Sequence, residues 1–86
     1  MQPVPTAAHP RIVRDPDVVG GAPTIAGTRV PVRAVAALWR ATGDRALIRR
    51  NYPRLSEDDV ETAIGYHEAH RAEINAELLA EKQAAD

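Results

Sequence analysis

The clearest pattern in the chain begins at Val32. Val32, Val35, Ala36 and Trp39 recur at i, i+3, i+4 and i+7, the spacing of an amphipathic helix, with Pro31 at its first turn, where a missing N–H is tolerated. At about 100° per residue, Arg33 and Arg40 share a flank away from that stripe, so both are expected to be exposed on one side. Gly43 supplies the left-handed residue that closes such a helix, and Asp44 can cap the next. The second helix is short, about Arg45 to Asn51, with Leu47, Ile48 and Asn51 turned one way and Arg45 and Arg49 another. Pro53 ends it, because the residue before a proline avoids the α region, and Tyr52 anchors the turn. Ser56 opens the third helix, and Asp59 three residues later makes a near capping box. Glu57, Asp58 and Asp59 suit its N-terminal dipole, and Leu55 is placed to staple onto Val60. The stripe Val60, Ala63, Ile64, His67, Arg71, Ile74 and Leu78 keeps a helical period but loses apolar character at His67 and Arg71. It predicts a core-facing part as far as about His67 and an acidic extension beyond. On this reading Ile74, Leu78 and Leu79 have no intrachain surface left and form a face for a partner chain.

Upstream of Pro31 the period shortens. Arg11 to Arg14 alternates as a short strand, stopped by the turn sequence Asp15-Pro16-Asp17. The stretch GGAPTIAGTRVPV, Gly20 to Val32, is punctuated by three glycines and two prolines. Thr24-Ile25 and Thr28-Arg29-Val30 flank Ala26-Gly27 as a tight β-hairpin does. Strands this short must pack on the helices, pair with Ile12-Val13, or pair with another chain. Residues 1–10 carry three prolines and no periodicity, and read as a flexible arm outside the core. The expected organisation is an arm over 1–10, a domain over 11–70 and an acidic helical extension over 71–86. The expected fold is mainly α: a three-helix helix-turn-helix core with a short N-terminal β-hairpin and an extended C-terminal helix.

A chain of 86 residues buries only about 60 to 65% of its unfolded surface, so a homodimer or other partner is expected, through paired hairpin strands or through helix three. The absence of cysteine removes disulfides, thiolate metal sites and thiol nucleophiles together. No apolar run reaches membrane-spanning length, and MQPVPTAAHP lacks the basic and apolar regions of a signal peptide, so a cytoplasmic protein without membrane contact is expected.

Charge is sorted along the chain. Residues 29–55 hold Arg29, Arg33, Arg40, Arg45, Arg49, Arg50 and Arg54 against Asp44 alone, a net of +6, while residues 56–86 carry a net of −7. The arginine block is a candidate surface for DNA phosphates, and the acidic block a solvated helix or a surface for a basic partner. The alternative is that the two blocks neutralise each other within the fold.

The segments Gly20-Gly21-x-Pro23-x-Ile25-x-Gly27-Thr28-Arg29-Val30-Pro31-Val32, Gly43, and Tyr52-Pro53-x-Leu55-Ser56-x-x-Asp59-Val60-x-x-Ala63-Ile64-x-Tyr66 together resemble the family catalogued as domain of unknown function 433, over roughly residues 11–70. That resemblance implies a compact helix-turn-helix protein of winged-helix or homeodomain-like type, often encoded beside a PIN-related nuclease toxin. By the same resemblance, the function expected is that of an antitoxin. It would neutralise the cognate toxin by direct contact, with Ile74, Glu77, Leu78, Leu79 and Glu81 as partner-binding residues, and repress its own operon by binding double-stranded operator DNA through the seven arginines. The alternative is a protein-interaction module without DNA function. The start of helix three, Ser56-Glu57-Asp58-Asp59, departs from a plain DNA reader, because three acids there would face phosphates.

Other chemistry finds few parts. Arg29 is either a fork for a phosphate or partner carboxylate, or a structural pair with an acid such as Glu61. The glycine pair lacks the spacing of a nucleotide loop. His67 and His70 stand at i, i+3 without a third ligand of comparable placement, and read as core or boundary histidines, so no metal or other cofactor is expected. Trp39 reads as core with Tyr52 and Tyr66 nearby, and three aromatics do not make a base-stacking platform. Thr28 and Ser56 have turn and cap roles and the clustered acids lack a paired base, so no catalytic residue is expected.

Overall fold

The computed structural model of the protein describes Val4–Pro5 and residues 9–85. In chain order these form β1 (Val4–Pro5), β2 (Ile12–Arg14), β3 (Thr24–Ile25), α1 (Val32–Thr42), α2 (Arg45–Asn51), α3 (Glu57–Ala69) and α4 (Arg71–Ala85), with a 3-10 turn over Val19–Gly21. The protein is a mainly helical helix-turn-helix domain behind a small antiparallel N-terminal sheet.

The β element is ordered β1-β2-β3, with Val4 opposite Arg14, Pro5 opposite Val13, Ile12 opposite Ile25 and Val13 opposite Thr24. The Asp15-Pro16-Asp17 turn forms as its residues predict, with the Asp17 N–H donating to Asp15 Oδ1 at 2.9 Å. The tight turn at Ala26-Gly27 also forms. The Thr28 N–H donates to the Ile25 carbonyl at 3.1 Å, the Ile25 N–H to the Val30 carbonyl at 3.1 Å, and Gly27 adopts φ 77°. Its exit arm is a single bridge, Pro31 to Thr24, rather than a strand, because Pro31 has no N–H to extend the ladder and the chain enters α1 at Val32. The flexible arm expected over 1–10 needs correction at two points. Val4–Pro5 pair with the open edge of β2, where proline is tolerated, and His9 packs edge-on against Tyr66 at 5.3 Å; residues 1–3 and 6–8 lie outside the described residues.

Each helix boundary has a local cause. Gly43 closes α1 at φ 62°, ψ 22°, its N–H donating to the Trp39 carbonyl. Asp44 caps α2 by accepting from the Leu47 N–H at 3.0 Å. Ser56 and Asp59 complete a reciprocal capping box on α3, at 3.0 and 3.1 Å. The core gathers Ile12 and Ile25 from the sheet, Val32, Val35 and Ala36 from α1, Ile48 from α2, Leu55 from the turn, and Val60, Ala63, Ile64 and Tyr66 from α3. Ile74 of α4 joins them at 0% exposure, with Leu78 packed alongside.

That last placement corrects the expected extension. The helix does not run straight on from His67. His70, at φ −131° and ψ 44°, breaks it, and α4 folds back along α1. The break brings Glu73 under Tyr66, whose hydroxyl donates to Glu73 Oε1 at 2.7 Å, while Arg14 Nη2 donates to both, at 3.0 and 2.8 Å. Burial and the Glu73 carboxylate push the Tyr66 phenol up to about 12. No glycine or proline marks the break, so the sequence carried no signal for it.

Candidate functional site

The structure separates the seven arginines of residues 29–55 into two groups. Arg33, Arg40, Arg45 and Arg49 are engaged within the chain. Arg33 reaches α4, with Nε 2.6 Å from Glu81 and Nη1 3.6 Å from Glu77. Arg40 Nη1 donates to Asn75 Oδ1, also on α4, at 2.6 Å. Arg45 pairs with Glu61 and lies 4.5 Å over the Trp39 ring, and Arg49 sits 3.2 Å from Glu57. Arg29, Arg50 and Arg54 are exposed and have no side-chain partner among the described residues. The exposed flank expected for Arg33 and Arg40 is corrected at Arg33, which is 21% exposed because α4 lies across it, while Arg40 is exposed as expected. Arg29 does not pair with Glu61, which belongs to Arg45.

The helix-turn-helix face shows what the acidic start of α3 is for. Asp59 is buried beneath its capping box and held 2.8 Å from Arg11. Burial alone would raise its carboxyl, but the Arg11 guanidinium and the Ser56 N–H outweigh that and hold it below the usual carboxylate range. Glu57 and Glu61 accept the arginines of α2 across an open cleft of about 380 Å³ lined by Arg45, Arg49, Glu57, Asp58 and Glu61. At the end of α3 that a base-reading helix would present, Glu57 and Asp59 are thus paired within the domain, and Asp58 has no side-chain partner among the described residues.

The five residues singled out for a partner also divide. Ile74 is core and unavailable, which overturns its assignment to a partner face. Leu78 is half-buried against the same core, and Glu77 is half-buried facing Arg33. Burial holds the Glu77 carboxyl above its ordinary value, with Arg33 opposing. Leu79 is 56% exposed, and Glu81 is exposed with one oxygen on Arg33. His67 is a core histidine, 5% exposed, as its place on the stripe predicts. His70 stacks on Tyr66 at 4.2 Å. Trp39 is partly rather than fully buried, edging the core under Arg45.

Sequence reasoning missed Arg11 and Arg14. Their partners lie 48 and 59 residues away, beyond any helical or strand spacing that could have announced them. Among the described residues no group of three or more metal-ligating side chains comes together, and no helix is long and apolar enough to cross a membrane.

With this geometry in hand, likeness to other proteins can be placed. A solved structure of a DUF433 member protein from Anabaena variabilis ATCC 29413 superposes with a TM-score of 0.74 at 30% identity, covering 80% of this chain and 68% of that one. An uncharacterized protein, y4eO, of Sinorhizobium fredii (strain NBRC 101917 / NGR234) is 36% identical over 64 residues, which are 74% of this chain and 29% of the relative's length. This chain thus spans under a third of that curated relative. The family model described as Protein of unknown function (DUF433) matches residues 12–67, from β2 to the last turn of α3, so the chain belongs to the DUF433 family.

Proposed function

We propose that the protein is the antitoxin of a type II toxin–antitoxin pair in the cytoplasm, acting as a homodimer that neutralises a PIN-related ribonuclease toxin by direct protein contact. The toxin pairing rests on the family resemblance. The observation that carries the emphasis on protein contact is the fate of the arginine block. Three of its seven members, Arg33, Arg45 and Arg49, are paired with Glu57, Glu61, Glu77 and Glu81 of the same chain, and Arg40 is held by the Asn75 amide, which leaves a largely charge-paired mosaic rather than a continuous cationic face. Mosaic surfaces of this kind select protein partners through charge complementarity at little cost in self-repulsion. The apolar contribution comes from Leu79 on the outer side of α4, beside Glu81.

Operator DNA belongs to the proposal in a narrower form. Arg29, Arg50 and Arg54 are the arginines of the block with no side-chain partner among the described residues, and they suit phosphates, which give affinity without sequence information. Two measurements test the two halves. Titrated against the nuclease encoded next to it, the protein should suppress ribonuclease activity stoichiometrically; full activity in the presence of excess protein would sink the antitoxin reading. Duplex retention should weaken with salt, with a slope that flattens by roughly 1 for each of Arg29, Arg50 and Arg54 changed to alanine. Arg45→Ala with Arg49→Ala should leave that slope in place. No retention at low salt would leave the protein-interaction module alone.

A further inference from the structure

We propose that the cleft where α1, α3 and α4 converge is a binding site for a small phosphate-type oxyanion, held by Arg40, His67 and Arg71. The cleft, about 210 Å³, is lined by Arg40, His67, Glu68, Arg71 and Asn75. It exists only because α4 turns back at His70, which sets Arg71 and Asn75 opposite the C-terminal turn of α1.

Three features of the lining call for an anion. First, Arg40 is a cation without a carboxylate partner: one nitrogen, Nη1, donates to the neutral amide oxygen of Asn75, and its Nε and Nη2 have no acceptor among the described residues. Second, Arg71 uses Nε and Nη2 on the same Glu68 oxygen, Oε2, which leaves Nη1 unengaged there. With His67 neutral, Arg40, Arg71 and Glu68 leave the lining a net positive charge. Third, His67 Nδ1 is buried with no hydrogen-bond partner, in a residue only 5% exposed. A buried polar atom without a partner carries its full desolvation penalty, and its persistence calls for a reason.

The charges around His67 make it responsive to such a ligand. Burial holds its pKa below the ordinary value; Glu68 on its own helix opposes this, while Arg40 from α1 and Arg71 from α4 add to it. The position in the last turn of α3 favours the imidazolium through the helix dipole. An oxyanion beside Arg40 and Arg71 offsets both guanidinium charges, so binding should draw a proton onto His67. Donors arriving from three helices suit a tetrahedral oxyanion, and the cleft is below the ~300–1,000 Å³ of sites for larger organic ligands. The ligand is thus inorganic phosphate or the terminal phosphate of a small ester, rather than a nucleotide or a duplex.

The test is an NMR titration of the full chain with inorganic phosphate against sodium chloride at matched ionic strength. Phosphate should give a saturable shift at the His67 ring and move its titration midpoint upward by about one pH unit or more. Arg40→Gln, at an exposed position, should abolish both effects with the thermal midpoint retained. Lys82→Gln, an exposed cation outside the cleft lining, should leave both as they are. Shifts that never saturate and match those in chloride would overturn the site, as would an Arg40→Gln protein that responds like the parent. Duplex DNA is the separate arm: perturbation of His67 by DNA with none by phosphate would assign the cleft to a nucleic-acid backbone and overturn the small-ligand proposal. Because ribonuclease inhibition does not enter this experiment, it stands or falls apart from the antitoxin reading.

Discussion

At the level of single residues, Asp59 and Glu77 are two carboxylates that burial treats alike and neighbours treat differently. Asp59 accepts from Arg11 and from the Ser56 N–H, and its pKa lies below the ordinary value. A depressed carboxylate contributes stability above its unfolded pKa, about 3.9, and loses it as pH falls through the folded value. Asp59→Ala should therefore cost about 1–2 kcal/mol in denaturant melts at pH 7, the loss of a reciprocal cap and its ion pair, and the difference should shrink toward pH 3. Glu77 has the opposite sign. Its pKa is raised, so the stability of its neutral form is present below about pH 4.3 and lost as pH rises through the folded value. Glu77→Gln should raise the unfolding midpoint at pH 7 and leave it nearly unchanged at pH 3, because Arg33 keeps Glu81 as a partner. A lower midpoint at pH 7 would show that the Arg33 pair outweighs the burial of Glu77. Of these two residues the sequence announced Asp59 as a cap, because capping is a matter of three-residue spacing. Glu77 was expected as a partner-binding acid, because its burial against Arg33 depends on where the helix breaks.

Among the elements, two glycines make the sharpest contrast. Gly43 sits in the left-handed region at the end of α1, and Gly65 lies inside α3; in each, a Cβ would meet nothing within 4 Å. Packing is thus neutral in both, and backbone preference alone decides the sign. Gly43→Ala should destabilise by about 1 kcal/mol, the cost of placing an L-residue in that region. Gly65→Ala should stabilise by about 0.5–1 kcal/mol, because alanine restricts the unfolded chain and suits the helix. Thermal melts of the pair would check both signs, and two shifts in the same direction would contradict the argument. Helix ends of this sort were legible from local chemistry: Gly43, Asp44, Pro53 and Ser56 each act within four residues of themselves. The boundary between α3 and α4 was not. There a tertiary network of Arg14, Tyr66 and Glu73 holds a break that His70 has no intrinsic reason to make.

For the molecule as a whole, the break at His70, which lets α4 pack on α1, decides what counts as the domain. The radius of gyration is 12.2 Å, close to the about 12 Å expected of a compact chain of this length, which requires α4 to lie against the rest. Charge sorting was correctly read from the sequence, but its meaning depended on that packing. With α4 folded back, Glu77 and Glu81 answer Arg33, and Asn75 answers Arg40. The stripe of Ile74 and Leu78 was legible as apolar, while its occupant was not, because periodicity states that a face is buried without stating against what. Truncation separates the possibilities. A chain ending at His70 loses Ile74 and Leu78 and uncovers the α1 surface they fill. Removing Ile74 alone to a methyl should cost about 2–5 kcal/mol, a large share of the stability available to so small a domain. The truncated protein should therefore lose cooperative unfolding and near-native helicity by circular dichroism. A chain ending at Lys82 keeps Ile74, Leu78 and the Arg33 pairs, and should melt within about 1 kcal/mol of the parent. If the His70-terminated chain melts as sharply as the parent, α4 is an appendage; if both fail to fold, residues beyond Lys82 carry stability that no described contact of theirs explains.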